Sequence, residues 1–373
     1  MRLLFLIDSL GGGGAERVLV NLVNNMDLCR YEITVQTIFK SGVNRGLLRP
    51  EIRIIESGTP YFRGVSRVFK LLPAAWLYRH YIREFYDVVI AFTHGLATKV
   101  LQAAPQTIGK IAWLHTDMRH SSLPNIFFQR QIVPAFDSFD KIVGVAKEVS
   151  LSFVKTFGLE NKVVTCYNTN DVPRIRQLAS ERNCIEGWSE WHGGIRLVTL
   201  GRLDPVKGYD RLLAICSRLK NEGYLFRLLI LGSGAEEKKL LSLRESLGLE
   251  KEVIFGGYQE NPFPYLRAAD LFVCSSRQEG LNTAMSEAII LGTPVLSTCV
   301  SGATEVLGEN SEYGLLVDNN DEALYMGLKK LLSSKELLAH YREKAKERAS
   351  FFETVTTVKA VEDVIDEVAV CHK

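Results

Sequence analysis

No apolar run in this 373-residue chain approaches the roughly 18–20 residues that span a bilayer. The opening MRLLFLIDSLGGGG holds five apolar residues before Asp8 and the glycines. It lacks both the longer apolar core and the small-residue cleavage site of a signal peptide, and reads as a first strand entering a turn. Paired cysteines are missing too. Cys29, Cys166, Cys184, Cys216, Cys274, Cys299 and Cys371 are scattered, odd in number and without a Cys-x-x-Cys pair. That argues against a cysteine metal site and suits a reducing cytoplasm; Cys216 and Cys274, in apolar contexts, read as core packing. With 46% apolar and 24% charged residues, the composition excludes disordered, collagen-like and disulfide-scaffold classes. The length predicts about two domains.

The net charge of +2 hides an asymmetry. Residues 1–170 carry 20 Lys and Arg against 13 Asp and Glu, a net of +7, and the remainder carries a net of −5. A basic half joined to an acidic half points to an anionic surface or partner for the first.

Short apolar runs alternate with amphipathic stretches, the pattern of α/β units with a parallel sheet. Strands are predicted over Leu3–Ile7, Glu32–Ile38, Asp87–Phe92, Lys110–His115 and Lys141–Val145, with helices over Ala15–Asn25, Val65–Glu84 and Phe127–Asp137. Between Asn168 and Gly194 the apolar periodicity stops, and this stretch reads as a linker. A second series follows: strands over Ile195–Leu200, Phe226–Leu231, Val253–Phe255, Leu271–Cys274 and Pro294–Ser297. Helices are predicted over Asp210–Lys220, Glu236–Leu247 and Asn282–Leu291, with two or three more from Asp321 to about Ala369. The expectation is α/β: two doubly wound, Rossmann-like units in series, with a cleft between their strand ends.

Three segments carry chemistry. Ser9-Leu10-Gly11-Gly12-Gly13-Gly14-Ala15-Glu16-Arg17 follows a strand and opens a helix, so Gly12, Gly13 and Gly14 let a ligand approach the backbone. It is not a dinucleotide fingerprint, because neither possible register supplies the third glycine. In Gly201-Arg202-Leu203-Asp204-Pro205-Val206-Lys207-Gly208, a turn can bring Arg202 and Lys207 to one point, as a phosphate or diphosphate requires. In the run from Ser275 to Glu287, Gly280 leads into a helix, with Glu279 before it and Glu287 about one turn inside. The amides near Leu281, Asn282 and Thr283 stand at that helix start, and two carboxylates there suit sugar hydroxyls.

Taken together, Glu279-x7-Glu287, Gly201-Arg202-x4-Lys207-Gly208 and the amino-terminal glycine loop resemble retaining glycosyltransferases of the GT-B fold, family GT4 (glycosyltransferase group 1). Bacterial surface and capsular polysaccharide glycosyltransferases are of this kind. The segments Gly256–Pro262 and Ala269–Ser276 fit as well, and the resemblance covers nearly the whole chain. It implies that Arg202 and Lys207 hold the donor diphosphate, Glu287 the ribose, Glu279 the donor sugar, and Gly280, Leu281, Asn282 and Thr283 help seat both. It implies further that Gly257, Tyr258 and Gln259 face the base and that His115, in Trp113-Leu114-His115-Thr116-Asp117, lies near the reacting sugar. No protein nucleophile is assigned. No Asp-x-Asp triplet occurs, so two cations take the place of a metal, and neither cofactor nor metal is expected. The chain departs from the family at Tyr167-Asn168-Thr169-Asn170-Asp171, where Asn-Gly or Asn-Pro is usual.

In the first half, residues 61–83 interleave cations with aromatics, from Tyr61 and Arg63 to Trp76, Arg79 and Arg83, with no acid before Glu84. This suits either a helix at an anionic bilayer surface or a core-facing helix with a solvated basic face; Pro73 divides it. Nucleic-acid binding fits less well.

The domains expected are an acceptor-binding unit over 1–167, a linker over 168–194, a donor-binding unit over 195–350, and a helical tail over 351–373 that the resemblance folds back onto the first unit. The function expected is transfer of a hexose from a nucleotide diphosphate sugar, UDP-linked, onto a lipid-linked glycan. The protein would work in the cytoplasm, peripheral on the inner face of the membrane. The alternatives are a nucleotide-sugar epimerase of the same architecture and a non-catalytic partner subunit that binds nucleotide or membrane.

Overall fold

The computed structural model describes residues 1–40, 42–60, 65, 69, 71–117, 134–181, 185–188 and 190–372, which divide into two units. The first comprises Met1–Thr169 and Thr354–Lys373. Its apolar runs form a parallel sheet of β1 (Arg2–Ile7), β2 (Glu32–Phe39), β3 (Arg53–Thr59), β4 (Val88–Ala91), β5 (Gly109–Leu114), β6 (Lys141–Gly144) and β7 (Val163–Thr165). The order is β3-β2-β1-β4-β5-β6-β7. Leu3–Ile7 and Val88–Ala91 are buried along their whole length, as a sheet covered on both faces requires. The helices described are α1 (Gly14–Asn25), α2 (Ala74–Tyr81), α3 (Leu96–Leu101) and α4 (Lys147–Phe157). The sequence reading passed over β3 and β7. Both are sheet edges, one polar and one only three residues long, and neither carries a buried apolar run.

The C-terminal helix, Thr354–Val370, belongs to this first unit. It buries Val358, Val361, Ile365 and Val368, and Val368 packs so closely on Gly109 that a Cβ there would collide with it. Tyr31 Oη donates to Asp366 Oδ1 at 2.9 Å, Asp27 N to Glu362 Oε1 at 2.9 Å, and Lys141 pairs with Glu367 at 2.6 Å.

The second unit, Asn170–Glu353, is a six-stranded parallel sheet of β8 (Ile195–Leu200), β9 (Phe226–Leu231), β10 (Val253–Gly257), β11 (Leu271–Cys274), β12 (Val295–Thr298) and β13 (Leu315–Val317). Its order is β10-β9-β8-β11-β12-β13. Its helices are α5 (Val172–Leu178), α6 (Tyr209–Asn221), α7 (Glu237–Ser246), α8 (Phe263–Ala268), α9 (Thr283–Ile290), α10 (Ala303–Leu307), α11 (Asp321–Leu332) and α12 (Lys335–Arg348). Leu197, Leu212, Cys216, Leu228, Ile230, Val273, Leu296 and Leu328 meet in its core. The missed strand, β13, is again an edge.

Residues 168–194, read from sequence as a linker, are built differently. From Asn170 onward they belong to the second unit. Asp171 accepts from Arg174 N at 3.1 Å and caps α5, Val172 and Ile175 are buried, and Trp188 is fully enclosed. The short helix starts at Val172-Pro173, too brief for a readable period. The six described cysteines are free thiols, with Cys216 and Cys274 buried. Of the predicted helices, most of Phe127–Asp137 and parts of Val65–Glu84 lie outside the described residues.

Candidate active site

In the second unit the residues singled out from sequence follow the carboxyl ends of parallel strands, so they share one edge of the sheet. The chain leaves β8 through Gly201 and Arg202 into a 3-10 turn over Pro205–Lys207. Gly208 closes that turn at φ 67°, in the left-handed region, and a Cβ on it would collide with the Ser275 carbonyl oxygen. Only glycine lets the turn lie so close to the segment after β11.

Across that contact, Lys207 Nζ donates to Glu279 Oε1 at 2.7 Å. Ser276 Oγ and Asn282 Nδ2 donate to the same oxygen at 2.6 and 3.0 Å. The Lys207 and Glu279 side chains are 20% and 11% exposed. Burial pulls the Lys207 pKa down, but the charge and hydrogen bond of Glu279 outweigh it and hold the ammonium above the ordinary lysine value. Asn282 joins this cluster to α9, since its Oδ1 accepts from Met285 N at 3.1 Å and caps the helix. Gly280, Leu281 and Asn282 are buried at the helix start, Thr283 is its first residue, and Glu287 lies buried one turn inside.

Arg202 and Lys207 form their ion pairs with different carboxylates. Arg202 is 72% exposed, with Nε 3.4 Å from Asp204 Oδ2, while Lys207 is held by Glu279. Tyr258, just beyond β10, is half exposed, and Gln259 Nε2 donates to the Gly256 carbonyl oxygen at 2.7 Å.

Two arginines that sequence reasoning missed hold this segment in place. Arg211 is buried on α6; its Nε donates to the Ser275 carbonyl oxygen at 2.9 Å, and Nη2 donates to the Ser276 carbonyl oxygen at 2.7 Å and to Asn319 Oδ1 at 2.8 Å. Arg277 forms a bidentate pair with Asp210 at 2.7 and 2.9 Å. A basic residue inside an amphipathic helix reads as solvated, so nothing local marked Arg211. Gly302, at φ 77°, is another: a Cβ on it would press on the Gly280 carbonyl and Leu281.

In the first unit, His115 follows β5, its Nε2 donates to the Phe92 carbonyl oxygen at 2.9 Å, and burial pushes its pKa down to about 3. The imidazole is therefore neutral near pH 7, with Nδ1 left as an acceptor. Gly12, Gly13 and Gly14 lead into α1, and the Glu16 carboxylate lies over Gly13, where a Cβ would strike it. Asp117, buried, accepts from Ser152 Oγ. Of the basic-aromatic stretch, residues 61–64, 66–68 and 70 lie outside the described ones. The described part turns Leu77 and Tyr81 inward and leaves Leu71, Trp76, Arg79, His80, Arg83 and Phe85 exposed, with Trp76 and His80 stacked at 5.0 Å.

Among the described residues no group of three or more His, Cys, Asp or Glu could hold a metal ion, and no helix is long and apolar enough to cross a membrane.

Residues 189–348 match the family described as glycosyl transferases group 1. That match covers most of the second unit and under half of the chain. It is 28% identical over 365 residues to a Campylobacter jejuni protein, 94% of this chain and 95% of that one. That relative is the N-acetylgalactosamine-N,N'-diacetylbacillosaminyl-diphospho-undecaprenol 4-alpha-N-acetylgalactosaminyltransferase. Among solved structures, Anabaena HepE with UDP and glucose superposes with a TM-score of 0.79 at 20% identity, covering 98% of this chain and all of that one. WaaG, a glycosyltransferase of lipopolysaccharide biosynthesis, does so with a TM-score of 0.77 at 17% identity, over 97% and 99%. These likenesses establish the fold: two Rossmann-like α/β domains, as in GT-B structures.

Proposed function

We propose that this protein is a retaining, metal-independent glycosyltransferase that moves a hexose from a UDP-sugar onto a lipid-linked glycan in surface polysaccharide assembly. The observation that carries the reading is the partly buried Lys207–Glu279 pair past the strand ends of a unit that matches the group 1 glycosyltransferases. The glycosidic C1–O bond of the donor breaks with its electron pair leaving on the diphosphate oxygen, while the sugar takes oxocarbenium character. Charge develops on that oxygen, and a fixed cation in a dry site stabilises it most. Lys207 supplies that cation, Arg202 adds a second from the open side, and the start of α9 adds its dipole. When the donor enters, Lys207 turns to the diphosphate and Glu279 to the sugar hydroxyls, so the pair opens. Glu287 takes the ribose, Tyr258 and Gln259 the base. The acceptor hydroxyl adds to C1 on the face the diphosphate leaves and passes its proton to the departing oxygen. Neutral His115 accepts from a sugar hydroxyl.

A UDP donor is supported by the HepE structure, whose bound molecules are UDP and glucose. A lipid-linked acceptor is supported by the Campylobacter relative, named for a diphospho-undecaprenol substrate. The basic first half and the outward Trp76, Arg79 and Arg83 suit peripheral binding to an anionic inner membrane face.

The test is release of nucleotide diphosphate from UDP-, GDP- and ADP-sugars in EDTA, with and without a lipid-linked acceptor extract. Release from one donor that rises with acceptor, with a hexose mass added to the lipid, is the expected result. Isomerised donor with no added mass would show an epimerase. Nucleotide binding without turnover would show a non-catalytic subunit.

A further inference from the structure

The turn that leaves β10 stands at an edge of the second unit's sheet. β10 is the outer strand, so a neighbouring strand holds that turn on one side alone, where Gly232 N donates to the Gly257 carbonyl oxygen at 2.8 Å. The register slips between Phe255 and Gly257, and Gly257 takes φ 64°, so the chain bends out of the ladder here. Gln259 Nε2 closes the turn on the Gly256 carbonyl oxygen, and Tyr258 and Glu260 are exposed. A turn with this little around it opens readily unless a second element fixes it.

The other side is held by the segment that reads from sequence as a linker. Asn261 Nδ2 donates to the Leu178 carbonyl oxygen at 3.0 Å and to Glu181 Oε2 at 2.7 Å, 83 and 80 residues back along the chain. The last carbonyls of a helix lack partners within it, and α5 ends at Leu178, so the amide helps to complete that end while it pins the turn. Ile185, from the same segment, packs over Gly256, where a Cβ would lie 2.7 Å from Ile185 Cδ1. Arg227 on β9 fixes the segment in turn: it donates to the Gly187 carbonyl oxygen and lies over the Trp191 ring at 5.0 Å.

Asn261 also has a local duty, and the two are separable. Its Oδ1 accepts from Phe263 N at 3.3 Å at the start of α8, a bond that an aspartate would accept equally. The two long-range bonds need the donor nitrogen of the amide.

We propose that Asn261 is a positioning residue for recognition of the nucleotide base: by tying the 256–260 turn to α5, it holds Tyr258 and Gln259 in one place for the base. This rests on the reading that those two side chains face the base. A turn ordered in advance removes the cost of ordering it from the free energy of binding.

The test uses the full-length protein. Asn261→Asp keeps the bond from Phe263 N and loses both donors to α5. Adding Glu181→Gln lets the new amide donate to the new carboxylate, which rebuilds the tie with donor and acceptor exchanged. Calorimetry with UDP, GDP, ADP and inorganic pyrophosphate gives the base contribution, as the affinity of the preferred nucleoside diphosphate over that of pyrophosphate. Hydrogen exchange follows the amides of 256–260. The base contribution should fall at least fivefold in Asn261→Asp and return in part in the double variant, with pyrophosphate affinity within twofold throughout. Exchange over 256–260 should quicken at least tenfold in the single variant and slow again in the double. An unchanged base contribution in Asn261→Asp, a loss that the double variant does not relieve, or an equal loss of pyrophosphate binding overturns the proposal. Tyr258→Ala combined with Gln259→Ala judges the underlying reading separately. A base contribution that survives this pair of changes overturns the base reading itself, whereas one lost there but kept in Asn261→Asp overturns only the role of Asn261.

Discussion

Replacing Lys207 by methionine separates what the Lys207–Glu279 pair does for the fold from what it does for the donor. In Lys207→Met the Glu279 carboxylate, 11% exposed, keeps Ser276 and Asn282 as donors but loses its counter-charge. Removing one partner of a buried pair costs about 3–5 kcal/mol. Partial exposure of Lys207 and two surviving hydrogen bonds put this case at the lower end, about 3 kcal/mol. A chain of two units has no single unfolding free energy, so the loss is best read locally, by hydrogen exchange over residues 195–221 and 271–290. There about 3 kcal/mol corresponds to exchange faster by roughly two orders of magnitude. Adding Glu279→Gln removes the stranded charge and should recover at least half of the lost protection. UDP affinity should behave differently, falling at least tenfold in the single variant and staying low in the double, because the diphosphate lacks its cation in both. Unchanged exchange in Lys207→Met would show that the pair contributes nothing to the fold. Restored UDP binding in the double variant would reduce Lys207 to a structural role.

Gly208→Ala should destabilise the second unit by about 2 kcal/mol or more and abolish UDP binding, since the residue sits at φ 67° with its Cβ directed at the Ser275 carbonyl; thermal melting and calorimetry read both. Arg211→Met should weaken UDP binding while Arg211→Lys restores part of it, because the buried guanidinium orients the Ser275 and Ser276 carbonyls ahead of Glu279 without reaching the donor itself. The Asp8 carboxyl, raised by burial from 3.8 to about 6, binds its proton more tightly folded than unfolded. Its contribution to stability is therefore full below pH 3.8 and lost as the pH rises through about 6. Asp8→Asn should flatten that part of the pH dependence of the melting temperature. Trp76→Glu together with Arg79→Glu should reduce co-sedimentation with phosphatidylglycerol vesicles, and raised salt should do the same to the native protein.

The sequence by itself determined the central strands and the places where chemistry gathers. Buried strands such as Leu3–Ile7 and Leu271–Cys274 are apolar along their length, and that is a local property of the chain. The motifs at Gly201–Gly208 and Glu279–Glu287 were legible because a glycine turn or a helix start follows each strand directly. The tertiary structure alone decided the edges β3, β7 and β13, whose short or polar segments become strands only against a neighbour already in place. It also decided partners. Sequence set Lys207 beside Arg202, five residues away, but the fold gives it to Glu279, 72 residues on. In the same way Asp8 meets Thr93, and Arg211 meets Ser275 and Ser276. Periodicity reports which face of one element is buried; which elements lie side by side depends on strand order, and strand order is fixed by packing the whole sheet at once.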